Sequence, residues 1–258
     1  MSSAQSPKSP DGAKWRIDHV RMTVFLSEPF DIEKAEAWFE EVAGESPETT
    51  VRQRERVVEA IGRAPQNPEL QMVLHCEAPL RIDWRLGPRT PVLNPSEEEQ
   101  LNSTIALFER ITAGWLAAAE ISVKRLAFGA LLLWPLRTVV EAHARISAMV
   151  PSLELPMDEF VGDVVYQINR SRLSTQVDGV RINRLNRWSV TTGQAMDLSL
   201  ADGTLAIKDT VPTTMVRLQL DINTDARRTD AFTSDQLPSL WGELVALGNE
   251  ISRDGDVP

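Results

Sequence analysis

VRMTVFLSEP, residues 20–29, and LAFGALLLWP, residues 126–135, decide the fold reading. In the first stretch Val20, Met22, Val24 and Leu26 alternate with Arg21, Thr23 and Phe25, the period-two pattern of a half-buried strand. The second is an apolar strand running into Pro135. An amphipathic helix follows each proline. Ile32, Ala35, Phe39 and Val42 share one face after Pro29, and Val139, His143, Ile146 and Val150 share one after Pro135. Asp31 is placed to cap the first of these helices and Gly44 to stop it.

Beyond these helices the chain turns extended. Residues 49–61 carry mixed helix and strand signals and read as a charged strand. Leu70, Met72, Leu74 and Cys76 alternate with polar positions, as do Ile82, Trp84 and Leu86, with Pro79 bending the chain between them. Asn94 and Pro95 open a helix whose stripe is Leu101, Ile105, Phe108, Thr112, Trp115 and Ala119. In the second half, Asp178-Gly179 and Asp202-Gly203 are hairpin turns. A two-residue turn at 202–203 sets Leu200 opposite Leu205 and Leu198 opposite Ile207. Val216, Leu218, Leu220 and Ile222 then alternate with Arg217, Gln219, Asp221 and Asn223, before a closing helix with Leu237, Leu240, Trp241, Leu244 and Ile251.

The expected fold class is therefore α+β. Two β-α-β-β-β-α units, the second with an extra hairpin, form a pseudo-duplicated chain of mainly antiparallel sheets with helices on one face. Residues 1–14 read as a disordered tail, 15–120 as the first unit, 121–253 as the second and 254–258 as a tail. The short join at 120–123 favours one body.

With 258 residues, 42% of them hydrophobic and 25% charged, the composition is that of a globular protein. No apolar run is long enough for a membrane span, and the N-terminus lacks the apolar region of a secretory signal. One cysteine rules out an intrachain disulfide and fits a cytoplasmic location. A net charge of −10 works against nucleic acid as a partner.

Catalytic signatures are missing. No glycine-rich phosphate loop or Gly-x-Ser-x-Gly elbow occurs, and one cysteine with three histidines offers too few ligands for a structural zinc site. No cofactor, metal or catalytic residue is expected. His19 and His75 fall on the polar sides of strands and could meet only if those strands are neighbours. His143 falls on the apolar stripe of its helix, and Cys76 reads as a buried, inert thiol.

The constellation that remains is basic. With a two-residue turn at Asp178-Gly179, Arg170 faces Arg187 and Gln176 faces Arg181, so Arg170, Arg172, Arg181 and Arg187 share one hairpin face. Like charges on one sheet face repel unless an anion neutralises them. Either the protein's own acids, on a helix laid across that face, do so, or a ligand or partner bearing phosphate or carboxylate does.

The Val180-Arg-Ile-Asn-Arg strand, the Leu218-Gln-Leu-Asp-Ile-Asn strand and the closing Leu/Trp-rich helix resemble the C-terminal part of a sporadically distributed, uncharacterised family of bacterial α+β proteins. The resemblance implies an association with defence or mobile genes and transfers no catalytic residue. The resulting expectation is a non-enzymatic cytoplasmic module that binds another protein or a second copy of itself. The alternative is a binding protein or enzyme for an anionic small ligand, held by Arg170, Arg172, Arg181 and Arg187.

Overall fold

In a computed structural model the two quoted stretches pair with each other. The first lies in β1 (Arg16–Leu26) and the second in β6 (Val123–Leu136), antiparallel, with Val20 opposite Ala130, Met22 opposite Phe128 and Val24 opposite Leu126. The structure describes residues 15–54, 56–89, 98–155, 164–193, 196–201, 204–209 and 213–256. Between β1 and β6 come α1 (Lys34–Ala43), β2 (Thr49–Gln53), β3 (Val57–Ala64), β4 (Asn67–Glu77), β5 (Arg81–Pro88) and α2 (Glu98–Ala118). After β6 come α3 (Val139–Met149), β7 (Val165–Asn169), β8 (Arg172–Leu173), β9 (Arg181–Gly193), β10 (Met196–Ala201), β11 (Thr204–Asp209), β12 (Thr213–Thr224) and α4 (Gln236–Asp254).

Ten strands form one antiparallel sheet in the order β2-β3-β4-β5-β1-β6-β12-β9-β7, with β8 also on β9. On each side of the β1/β6 pair the chain leaves the inner strand, crosses by a helix to the outer edge and returns strand by strand. The strands β10 and β11 pair only with each other, with Leu200 opposite Leu205 and Leu198 opposite Ile207 as the sequence register requires. The expected turn at 202–203 and the expected cap at 94–95 lie outside the described residues, as does the expected tail at 1–14.

The alternation read from the sequence is the alternation of burial. Val20, Met22 and Val24 are fully buried, as are Met72, Leu74 and Cys76, Trp84 and Leu86, and Val216, Leu218 and Ile222. The helices cover this one face. Phe39 of α1 stacks on Trp84 of β5, and Trp115 of α2 packs edge-on against both Trp84 and Trp38. Trp241 of α4 meets Phe128 of β6 and Phe108 of α2, and Arg145 of α3 lies 3.5 Å over the Trp134 ring of β6. Gly44 ends α1 in the left-handed region (φ 76°), its N–H donating to the Glu40 carbonyl, where a side chain would be strained.

Three expectations need correcting. Residues 49–61 hold parts of two strands, not one. Arg54 at φ 56° and the Arg56 N–H donating to the Gln53 carbonyl accompany the reversal that sets β3 antiparallel on β2. The first half therefore has four strands after its first helix where three were expected. The turn at 178–179 is wider than two residues, as described below. Finally, the chain from residue 254 does not trail away through 256. Asp254 closes α4, Gly255 and Asp256 are buried, and the Asp256 N–H donates to the Met149 carbonyl at 2.8 Å. A bidentate ion pair from Arg170 to the Asp256 carboxylate holds that end (2.9 and 2.8 Å).

Candidate binding face on the open side of the sheet

Because successive side chains on a strand point to opposite faces, helices on one side leave the other half of every strand facing away. No described helix packs there. The strand registers place residues on this open face in rows. One row reads Glu59, His75, Asp83, Thr23, Ala127, Asn223, Asn183 across β3, β4, β5, β1, β6, β12 and β9. The next reads Ile61, Val73, Arg85, Arg21, Gly129, Asp221, Leu185 across the same strands.

The first row satisfies itself. The Thr23 hydroxyl donates to the buried Asp83 carboxylate, which also pairs with Arg81 at 2.8 Å. His75 Nδ1 lies 3.3 Å from Glu59. Asn223 Oδ1 accepts from Arg125 at 3.1 Å and from Asn183 at 3.2 Å. The Arg125 guanidinium also sits 4.9 Å from the centre of the Phe25 ring.

The second row does not. Arg21 and Arg85 are direct cross-strand partners, a like-charge pairing that destabilises a sheet. Neither makes an ion pair within 4.0 Å of a described carboxylate, and the same holds for Arg187 and Arg217 on the same face. Arg85 and Arg217 act on the carboxylate of Asp18, on the bulge in β1 between Ile17 and His19. The hydrogen bond with His19 (2.7 Å) holds the Asp18 carboxyl below the usual carboxylate range, against the effect of burial, and the charges of Arg217 and Arg85 act in the same direction. Asp18 is thus engaged by His19 and does not bond the arginines.

The arginines singled out from the sequence fall elsewhere. The structure sets Arg172 opposite Ile182, Leu173 opposite Arg181 and Gln167 opposite Arg187. The cause is the loop at 174–180. The Ser174 hydroxyl accepts the N–H groups of Gln176 and Val177, the Ser174 and Thr175 hydroxyls and the Thr175 N–H donate to Glu243 of α4, and Val177 and Val180 are buried. This shifts the register by an odd number of residues, which exchanges the faces. Arg170, Arg172, Arg181 and Arg187 therefore do not share a face. Arg170 and Arg172 lie on the helix side with the buried Arg184, against α4 and the chain end. Arg170 pairs with Asp256, Arg172 reaches Glu243 at 3.6 Å and Arg184 reaches Glu250 at 3.8 Å. Arg181 and Arg187 are exposed on the opposite side, Arg181 donating to the Ser171 hydroxyl at 3.2 Å.

The other singled-out groups are dispersed. β5 separates His19 on β1 from His75 on β4. His143 is buried on α3. Cys76 is fully buried, and burial, with the nearby Asp83 charge, pushes its thiol up to about 12, so it carries no thiolate at neutral pH. Among the described residues no cluster of three or more His, Cys, Asp or Glu could hold a metal ion, and no described helix is long and apolar enough to cross a membrane. No family model matches the chain, and no curated protein matches it in sequence.

Arg21, Arg85 and Arg217 were within reach of sequence reasoning as outward positions of alternating strands. Their place on one face, with Arg217 opposite Leu133 and four residues along β12 from the row of Arg21 and Arg85, was not, because it depends on β1 lying between β5 and β6, and β6 beside β12.

Proposed function

We propose that this chain is a non-enzymatic interaction module that takes a partner protein on the open face of its sheet. The observation that carries the reading is the make-up of that face. Half-buried Leu131, Leu133 and Leu185 lie among arginines that no described carboxylate pairs. Arginine is enriched at protein interfaces, and apolar side chains make up their buried centre. We also read the two halves as pseudo-duplicated, supported by their shared path from inner strand to edge and back, which makes one broad surface at their seam. The reading puts the protein in the cytoplasm, in keeping with its single thiol. The bacterial resemblance supports a defence or mobile-element setting.

A small anionic ligand at the hairpin arginines has less support. Carboxylates of the protein itself engage Arg170 and Arg172, leaving Arg181 and Arg187 of the original set.

The test is a photo-crosslinking amino acid placed at position 219, exposed on the open face beside Leu131, or at position 41, exposed on α1. In the native host, position 219 is expected to give a defined protein adduct and position 41 none. Adducts from both positions or from neither, together with a measured turnover by the purified chain, overturn the reading.

A further inference from the structure

Resting on that reading, we propose that the partner presents an acidic segment whose carboxylates are held by Arg21, Arg85 and Arg217. The first ground is electrostatic. Arg21 and Arg85 oppose each other directly, Asp18 is bonded to His19, and Asp221, across Gly129 in the same row, accepts from the Asn223 amide at 3.0 Å and pairs with neither arginine. The face is therefore left with positive charge on a chain whose overall balance is −10, so it attracts an anion that the rest of the surface repels.

The second ground is shape. A Cβ at Gly129 would stand 3.4 Å from both Nε and Nη2 of Arg21. The guanidinium thus lies along the floor of β6, where no side chain lifts it away. Arginine's planar fork matches a carboxylate with two parallel N–H donors. Arg85 is exposed beside it, and Leu131 two residues along the same face of β6 offers contact to an apolar neighbour of the bound acid.

The third ground separates an acidic peptide from single-stranded nucleic acid, the other polyanion an arginine-bearing sheet can hold. Nucleic acid needs aromatic rings free to stack on bases. Among the described strand residues of this face Phe25 supplies the aromatic ring, and the Arg125 guanidinium already lies 4.9 Å from its centre, with Arg81 at 6.0 Å.

The test uses the full chain and fluorescently labelled poly-L-glutamate at low salt, followed by anisotropy, with oligo-dT and inorganic phosphate as competitors. The double variant Arg21→Gln, Arg85→Gln is expected to weaken poly-L-glutamate binding by about tenfold or more, and Arg217→Gln by a smaller factor. Arg253→Gln, at an exposed arginine on α4, is expected to leave binding unchanged. Because the double variant removes a like-charge pair, its melting temperature is expected to equal or exceed that of the parent. A lower melting temperature, or unchanged poly-L-glutamate binding, overturns the inference. So does tighter binding of oligo-dT, or displacement of the probe by inorganic phosphate at matched charge. If position 219 still captures a partner while poly-L-glutamate binding ignores Arg21 and Arg85, the docking reading stands and this inference alone falls.

Discussion

Gly87 shows how closely backbone and site are joined. It lies in β5 beside the bulge of β1, and a Cβ there would sit 2.4 Å from the Asp18 carbonyl oxygen and 3.3 Å from the His19 Cα. Backbone cannot yield as a side-chain tip does. Gly87→Ala is therefore expected to cost about 1–3 kcal/mol, the usual penalty for overpacking. Gly114, inside α2, has nothing within 4 Å of its Cβ position. There alanine relieves the helix penalty of glycine, and Gly114→Ala is expected to stabilise by about 0.5–1 kcal/mol. Urea unfolding of the two variants checks both signs, and equal shifts in one direction would contradict this account of the bulge.

Among elements, α4 binds its neighbours by charge as well as by its apolar stripe. Its end is clamped through Asp256, whose carboxyl is held below the usual range chiefly by the hydrogen bonds from Arg170, against burial. A depressed folded value means that the clamp stabilises fully above the unfolded value near about 3.9 and is lost as pH falls through the folded one. Asp256→Asn is expected to cost about 1–2 kcal/mol at neutral pH, at the lower end for a charged hydrogen bond because Arg170 is a third exposed. In melting curves the gap between parent and variant is expected to hold from about pH 8 to 5 and to close below about pH 4. A gap that widens in acid would reverse the assignment. This clamp also marks where the sequence stops being legible. Period-two and helical patterns determine nearly every element, since Val20, Leu74 or Trp241 must be buried wherever the chain goes. Register across the 174–180 loop depends on Glu243, a residue far along the chain, so a local turn signal at Asp178-Gly179 misplaced Arg170 and Arg172. The placing of Arg21, Arg85 and Arg217 on one face of neighbouring strands depends likewise on strand adjacency, which alternation does not encode.

At the scale of the whole molecule the question is whether the seam between β1 and β6 joins two separately stable halves or makes one. Three observations favour one. β1 and β6 are the inner strands, and parting them would expose two long unpaired edges at the heart of the core. The helices α2 and α4, from different halves, pack on each other across the seam. Trp241 stands at their junction, fully buried, 6.0 Å from Phe108 of α2 and 5.8 Å from Phe128 of β6 between ring centres. Such continuity makes unfolding cooperative, because neither side can lose its structure without uncovering the other's apolar surface. Trp241→Ala is expected to cost about 3–5 kcal/mol, as for other buried tryptophans. That loss is expected to appear as one earlier transition, with β3 and β4, remote from the mutation, losing hydrogen-exchange protection in step with β9 and β12. If β3 and β4 keep their protection while β9 and β12 lose theirs, the halves are independent folding units, and the open face spans a joint between them.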